Sequence, residues 1–290
     1  MLLFLSAALA QHVDLDHGEV LTAADLPFEA LTVGHPSLQY RDGRFVMLFE
    51  AKVSWPGCDT AYAIGRATSP DGLQWSFERN SVRPSAAHPC GLRRPAAAAT
   101  DDGVLVAMED VLTAEIVVVR RFAEGDSQRW TTTGLEGLTE VSVARRDGDW
   151  VVAATDPDQG LVFATSDDAM DWAVAEDAGL IPGTTWWSRD AIRSPSLSCY
   201  DGSSLQWVIH YGGTVDDTVG FTWGKSTDLD TWYLSLAAEI WEAPDAWASW
   251  DAVTSPSAAW IAYEHDGGIG FATTDDSVPG DDAATRDCHP

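Results

Sequence analysis

Positive charge is scarce in this chain. Seventeen Lys and Arg stand against 45 Asp and Glu, for a formal charge of −28, and lysine occurs only at Lys52 and Lys225. Such a field repels phosphate backbones and anionic bilayers, so nucleic acid and membrane surfaces are poor partners. No segment beyond the first residues approaches the ~20 apolar residues that span a bilayer. Cysteine is sparse too: Cys58, Cys90, Cys199 and Cys288 lie far apart with no C-x-x-C, which argues against zinc and thioredoxin-like chemistry. The acids around Asp156 and Asp158 lack EF-hand spacing, so neither a metal nor another cofactor is expected. Long apolar runs at helical spacing are missing as well. With 14 Trp, 24 Gly and 14 Pro, the chain reads as many short strands joined by turns, an all-β protein.

At 290 residues and 45% hydrophobic composition, the chain can fill a substantial core. It opens "MLLFLSAALAQH", an apolar run ending in Ala-Leu-Ala, the small-residue pattern that a signal peptidase cuts. Residues 1–10 therefore read as a signal peptide and residues 11–290 as a secreted or periplasmic domain, expected to be soluble and monomeric. In an exported chain an even cysteine count favours two disulfides, with three pairings open.

The sequence repeats itself. "ATSPDGLQW" (67–75) returns as "ATSDDAMDW" (164–172) and "GKSTDLDTW" (224–232), and in weaker form as "FAEGDSQRW" (122–130) and "ATTDDS" (272–277). Before each copy stands a second motif, typified by "HPSLQYRDGRFVMLFEA" (35–51), in which two strand-like runs usually flank an Asp-Gly turn. Five units begin at residues 35, 94, 140, 194 and 255, a spacing that suits the four-stranded blades of a β-propeller. The repeated Trp is then a packing residue near the outer strand of one blade, set against the next blade, and the Asp a turn residue. The fifth unit runs out after Asp276, so residues 17–33 are expected to supply its missing strand and close the ring.

The pairing of "HPSLQYRDGRFVMLFEA" with "IGRATSPDGLQW" resembles the first blade of five-bladed propeller glycoside hydrolases: the family 43, invertase-like and mannoside phosphorylase groups. The resemblance implies a substrate pocket on the ring axis, lined by the blade starts His35, Arg94, Glu140, Ser194 and Ser255. Around it would run an outer ring of Glu50, Glu109, Asp156, His210 and Glu264 with His265. It also places Cys58 and Cys90 in loops on the pocket face and Cys199 within reach of the C-terminal tail, implying the pairs Cys58–Cys90 and Cys199–Cys288.

An inverting family-43-like hydrolase needs a carboxylic acid to protonate the leaving oxygen and a base to activate water. By position Glu140 is the acid. His35 stands where the base belongs, with Glu50 as its carboxylate substitute, and Arg94 takes the place of an Asp that tunes the acid. The departure leaves two readings: an enzyme acting on a glycan, or a carbohydrate-binding protein without catalysis on the same scaffold. A sialidase-like propeller is a further reading, through "SPDGLQW" and Arg93, Arg94 and Arg193, and it requires six blades.

Overall fold

The computed structural model describes residues 15–100, 103–122, 129–146, 148–175, 180–185, 188, 190–200, 206–215, 218–235, 239–241, 249–255, 258–274, 278–280 and 287–288. Residues 1–10, read above as a signal peptide, lie outside this set, as do Asp126 and Asp276 of the weaker repeats.

Five antiparallel sheets form the blades. The first is β2 (Thr32–Arg41), β3 (Arg44–Val53), β4 (Ala61–Ser69) and β5 (Ser76–Val82), in that order from the axis outwards. The second is β6 (Leu92–Thr100), β7 (Gly103–Asp110), β8 (Glu115–Phe122) and β9 (Arg129–Glu136). In the third, β10 (Thr139–Arg146), β11 (Asp149–Asp156), β12 (Gly160–Ser166) and β13 (Ala173–Val174) are joined by β22 (Asp287–Cys288), which runs parallel to β10. The fourth is β14 (Ala191–Tyr200), β15 (Gln206–Val215) and β16 (Thr218–Ser226), with β17 (Tyr233–Leu234) and β18 (Glu239–Trp241) both on β16. The fifth is β19 (Trp250–Thr254), β20 (Ala259–His265), β21 (Gly268–Thr273) and, outermost, β1 (Leu15–Leu21).

The ring is therefore closed by the N-terminal strand, as the missing outer strand of the fifth unit required. Five blades also dispose of the sialidase-like reading.

Each inner strand packs on the inner strands of the two neighbouring blades, and hydrogen bonds cross these seams. Ser37 Oγ accepts from Ala97 N (3.1 Å), and Ser142 Oγ from Leu197 N (2.8 Å). Asp251 joins three blades: Oδ2 accepts from Leu38 N (2.7 Å), while Oδ1 accepts from Ser196 Oγ and from Ala252 N (2.9 Å). Between blades two and three the matching position is Ala96, which has no such acceptor.

The repeated Trp packs as its spacing suggested, but against the preceding blade. Trp75 meets Phe271 edge to face at 6.5 Å, and Trp232 stacks on Phe163 at 5.2 Å. Asp71 Oδ1 accepts from the amides of Leu73 and Gln74, which hold its carboxyl below the ordinary value, and Trp75 Nε1 donates to Gly72 O (2.7 Å). Gly72 has φ +80° and lies so close to Phe271 that a Cβ would strike the ring at 2.3 Å. The turn is built for seating Trp75, and its Asp does no chemistry.

Cys58 and Cys90 form a disulfide between the β3–β4 loop and the segment that leads into β6. Cys199 is also disulfide-bonded, while the side chain of Cys288, its expected partner, lies outside the described residues. The Cys58–Cys90 pair is separated by 32 residues. Replacing both by Ser should lower the unfolding free energy by about 3–4 kcal/mol, from chain-entropy loss in the unfolded state. Urea titration under non-reducing conditions checks this; an unchanged midpoint would contradict it. Among the described residues no helix is long and apolar enough to cross a membrane.

Candidate functional site

Four of the five inner strands begin with the same backbone device. His35 (φ 44°), Arg94 (φ 51°), Glu140 (φ 50°) and Ser194 (φ 52°) all lie in the left-handed region that residues with a Cβ avoid. At each the pairing with the second strand skips: Gly34 faces Glu50 and Ser37 faces Leu48, and equivalent skips follow Arg93, Thr139 and Arg193. These are β-bulges, which turn a side chain out of the ladder towards the axis. Pro36, Pro95 and Pro195 follow three of the four residues, and a bulge is where a sheet tolerates a residue without an N–H.

The left-handed turns cost roughly 1–2 kcal/mol apiece, and carboxylates from neighbouring residues around the ring offset this by capturing the bulge amides. His35 N donates to Glu264 Oε2 (3.2 Å), Arg94 N to Glu50 Oε2 (2.9 Å) and Ser194 N to Glu140 Oε2 (2.9 Å). In each case the acceptor belongs to the preceding blade. Glu264 reaches His35 only because residue 34 is glycine; a Cβ there would lie 2.6 Å from its carboxylate.

The bulged residues line an open depression of about 310 Å³, including space open to solvent, on the ring axis. His35, Arg94, Glu140 and Ser194 meet there with Ser249 and Trp250, over a floor of Pro36, Pro95, Val141 and Pro195. Ser255 is not among them. It lies in the turn between β19 and β20, where its N–H donates to Ala258 O (2.7 Å), at the other end of the strand from Ser249. Blade five has no skip in its register, so Trp250 stands where other blades carry two residues. The unit start expected at Ser255 therefore falls at the far end of the inner strand, and the blade begins at Trp250.

The outer ring also differs from expectation on two blades. Glu50, Glu109 and Glu264 hold the second-strand positions opposite the bulges of blades one and two and opposite Ser249. Blade three offers Thr155 there, and Asp156 instead caps its own turn by accepting from Asp158 N and Gln159 N. Blade four offers Gly212, and His210 is buried two residues away, edge to face with Trp250 at 6.4 Å. Burial, helped by Lys225, pushes the His210 imidazole down to about 4, so it is neutral at ordinary pH. His265 pairs with exposed Asp266 at 3.3 Å.

The charged groups interlock. Arg94 donates from Nε to His35 Nε2 (3.2 Å) and from Nη1 to Glu109 Oε2 (3.0 Å) and Thr139 Oγ1 (2.6 Å). Arg93 binds Glu109 Oε1 through Nε (3.0 Å) and Nη2. Glu140 Oε2 takes Thr155 Oγ1 (3.1 Å) besides Ser194 N, and Glu264 Oε2 takes Ser249 Oγ (2.9 Å). Tyr62, on β4, feels this cluster: burial and then Glu50 raise its phenol. Thr139, Thr155, Ser249, Trp250 and Tyr62 were not singled out in the sequence.

His35 Nδ1 stands between two carboxylates, 3.1 Å from Glu50 Oε1 and 3.1 Å from Glu264 Oε2. Burial alone would lower its pKa, but Glu50 and Glu264 outweigh it and raise the imidazole to about 9. The Arg94–His35 hydrogen bond needs a bare Nε2 and so belongs to the neutral ring; at neutral pH the protonated ring gives that bond up. Because the folded value lies above the ordinary 6.5, this group's contribution to stability is complete below about 6.5 and fades as pH rises through about 9. Glu50→Gln should move the His35 midpoint downwards, read from the imidazole proton shifts by NMR. An unmoved midpoint would mean that Glu50 does not set it.

No family model matches the chain, and no curated protein does. Solved structures do. A glycosyl hydrolase from Bacteroides ovatus superposes with a TM-score of 0.61 at 15% identity, covering 88% of this chain and 87% of that one. The fold is that of five-bladed propeller glycosidases. A β-1,2-mannobiose phosphorylase from Listeria innocua, solved with β-1,2-mannobiose, gives a TM-score of 0.66 at 10% identity over 88% of this chain and 93% of that one. A structure from the GH130 mannoside phosphorylase family, described as containing hydrolases that target β-1,2-mannosidic linkages in Candida mannan, gives 0.58 at 15% identity over 84% of each chain. In this propeller glycosidase fold the bulged residues of the present chain stand at the axial mouth of the ring.

Proposed function

We propose that the axial pocket binds a glycan and that Glu140 is the carboxylate that acts on it. The observation that carries this is the convergence of four left-handed residues, at one position in four blades, on a single depression. Backbone strain repeated in this way is retained where it orients side chains for use. Glu140 presents the pocket with a ready acceptor, since Oε2 takes both of its donors and Oε1 makes no hydrogen bond among the described residues. The solved neighbours support a sugar as the ligand. As an enzyme, the protein would use Glu140 in its protonated form, with the proton on Oε1, to protonate a leaving glycosidic oxygen. Arg94, Ser194 and Ser249 would orient hydroxyl groups. Export remains part of this reading, supported by the Cys58–Cys90 disulfide, a bond that persists in oxidising compartments.

A second reading is binding without turnover. Glu50 and Glu109, the carboxylates nearest the expected base position, have both oxygens engaged: Glu50 by His35 and Arg94 N, Glu109 by Arg93 and Arg94. A protonated His35 is no base either. A glycan array combined with a turnover screen on aryl glycosides and polysaccharides separates the two. Turnover lost in Glu140→Gln supports the enzyme, and binding without turnover supports the lectin-like reading. An array with no glycan bound would overturn both.

A further inference from the structure

We infer that this pocket selects neutral sugars and rejects anions, inorganic phosphate and uronates included. The inference rests on the glycan reading above and adds the ligand's charge.

The cations at the axis look at first like an anion site, since Arg93, Arg94 and His35 lie within one network. Their charge is already matched. Glu109, only 2% exposed, holds both guanidinium groups, one on each carboxylate oxygen. His35 lies between Glu50 and Glu264 at 3.1 Å from each. Counting His35 as protonated, three cations face the carboxylates of Glu50, Glu109 and Glu264 among the described residues, and an ionised Glu140 adds a fourth negative charge.

An arriving phosphate or uronate would therefore meet a pocket with no excess positive charge, in a chain of formal charge −28. To form a two-pronged ion pair with Arg94 it would have to displace Glu109 from Nη1, leaving one oxygen of a buried carboxylate without its partner. A neutral sugar meets no such obstacle. Its oxygens can exchange hydrogen bonds with Glu140 Oε1, in either protonation state, and accept from the remaining Arg94 Nη2, while its carbon face lies over the pocket prolines. What the residues offer is hydrogen bonding to polar groups without spare positive charge.

The test is calorimetric titration of the full chain at low salt with neutral oligosaccharides, matching uronate oligosaccharides and sodium phosphate, on wild type and Glu109→Gln. For wild type, the best neutral sugar should bind roughly tenfold or more tighter than any uronate, with no measurable heat from millimolar phosphate. In Glu109→Gln, shown to be folded by circular dichroism, phosphate affinity should rise by roughly tenfold or more as both guanidinium groups are released. Phosphate or uronate binding to wild type as tightly as the best neutral sugar would overturn the inference and leave the glycan reading standing. Failure of every sugar, neutral and acidic, would overturn both. Should Glu109→Gln not fold, the wild-type panel decides alone.

Discussion

Asp251→Ala is expected to lower the unfolding free energy by about 3–5 kcal/mol. The side chain is buried and accepts from Leu38 N on blade one, Ser196 Oγ on blade four and Ala252 N on its own blade. Each donor left without an acceptor in the interior costs about 1–3 kcal/mol. Asp251 stands on the inner strand of the blade that the N-terminal strand completes, so the loss weakens the contacts of that blade with both of its neighbours. Ser142→Ala is the internal comparison: it deprives only Leu197 N of its partner and should cost about 1–3 kcal/mol. Urea denaturation followed by tryptophan fluorescence gives both values. Equal losses in the two variants would show that Asp251 is no hub.

Glu140→Gln is expected to leave the fold intact and, if the protein is an enzyme, to reduce kcat by roughly 10²–10⁴-fold, the usual contribution of a general acid. The amide oxygen of Gln can still accept from Ser194 N and Thr155 Oγ1, so the bulge at Ser194 should survive. Sugar affinity should change less than turnover, because the orienting groups on the other blades remain. Steady-state kinetics on the best substrate of the screen provides the check. An unchanged kcat would remove Glu140 from the chemistry.

Much of this architecture was legible in the repeats. Asp-Gly turns and a Trp at fixed distance name a blade because each follows from local backbone chemistry: Asp71 caps its own turn and Trp75 fills the seam with the preceding blade. The blade starts were legible through the repeated motif that they open, in which His35, Arg94 and Ser194 each precede a proline of the kind a bulge tolerates. The fifth start was not, because blade five has dispensed with the bulge and carries no such proline at Trp250. A signal was nevertheless present. Fifteen residues separate His35 from Glu50, Arg94 from Glu109 and Glu140 from Thr155, and the same count back from Glu264 reaches Ser249. That count also favours Thr155 over Asp156. It fails on blade four, whose hairpin is longer and places Gly212 rather than His210 opposite the bulge. What no pattern displayed was the pairing within the cluster. Whether His35 is a base or a cation depends on Glu264, which comes from the far end of the chain and meets it only when the ring closes.

The most direct measurement is a crystal structure of the full chain with an oligosaccharide that it binds. The account predicts a sugar ring on the propeller axis, over Pro36, Pro95 and Pro195, with a hydroxyl or glycosidic oxygen within hydrogen-bond distance of Glu140 Oε1 and of Arg94. A sugar seated elsewhere on the molecule, with the axial depression empty at saturating concentration, would contradict it.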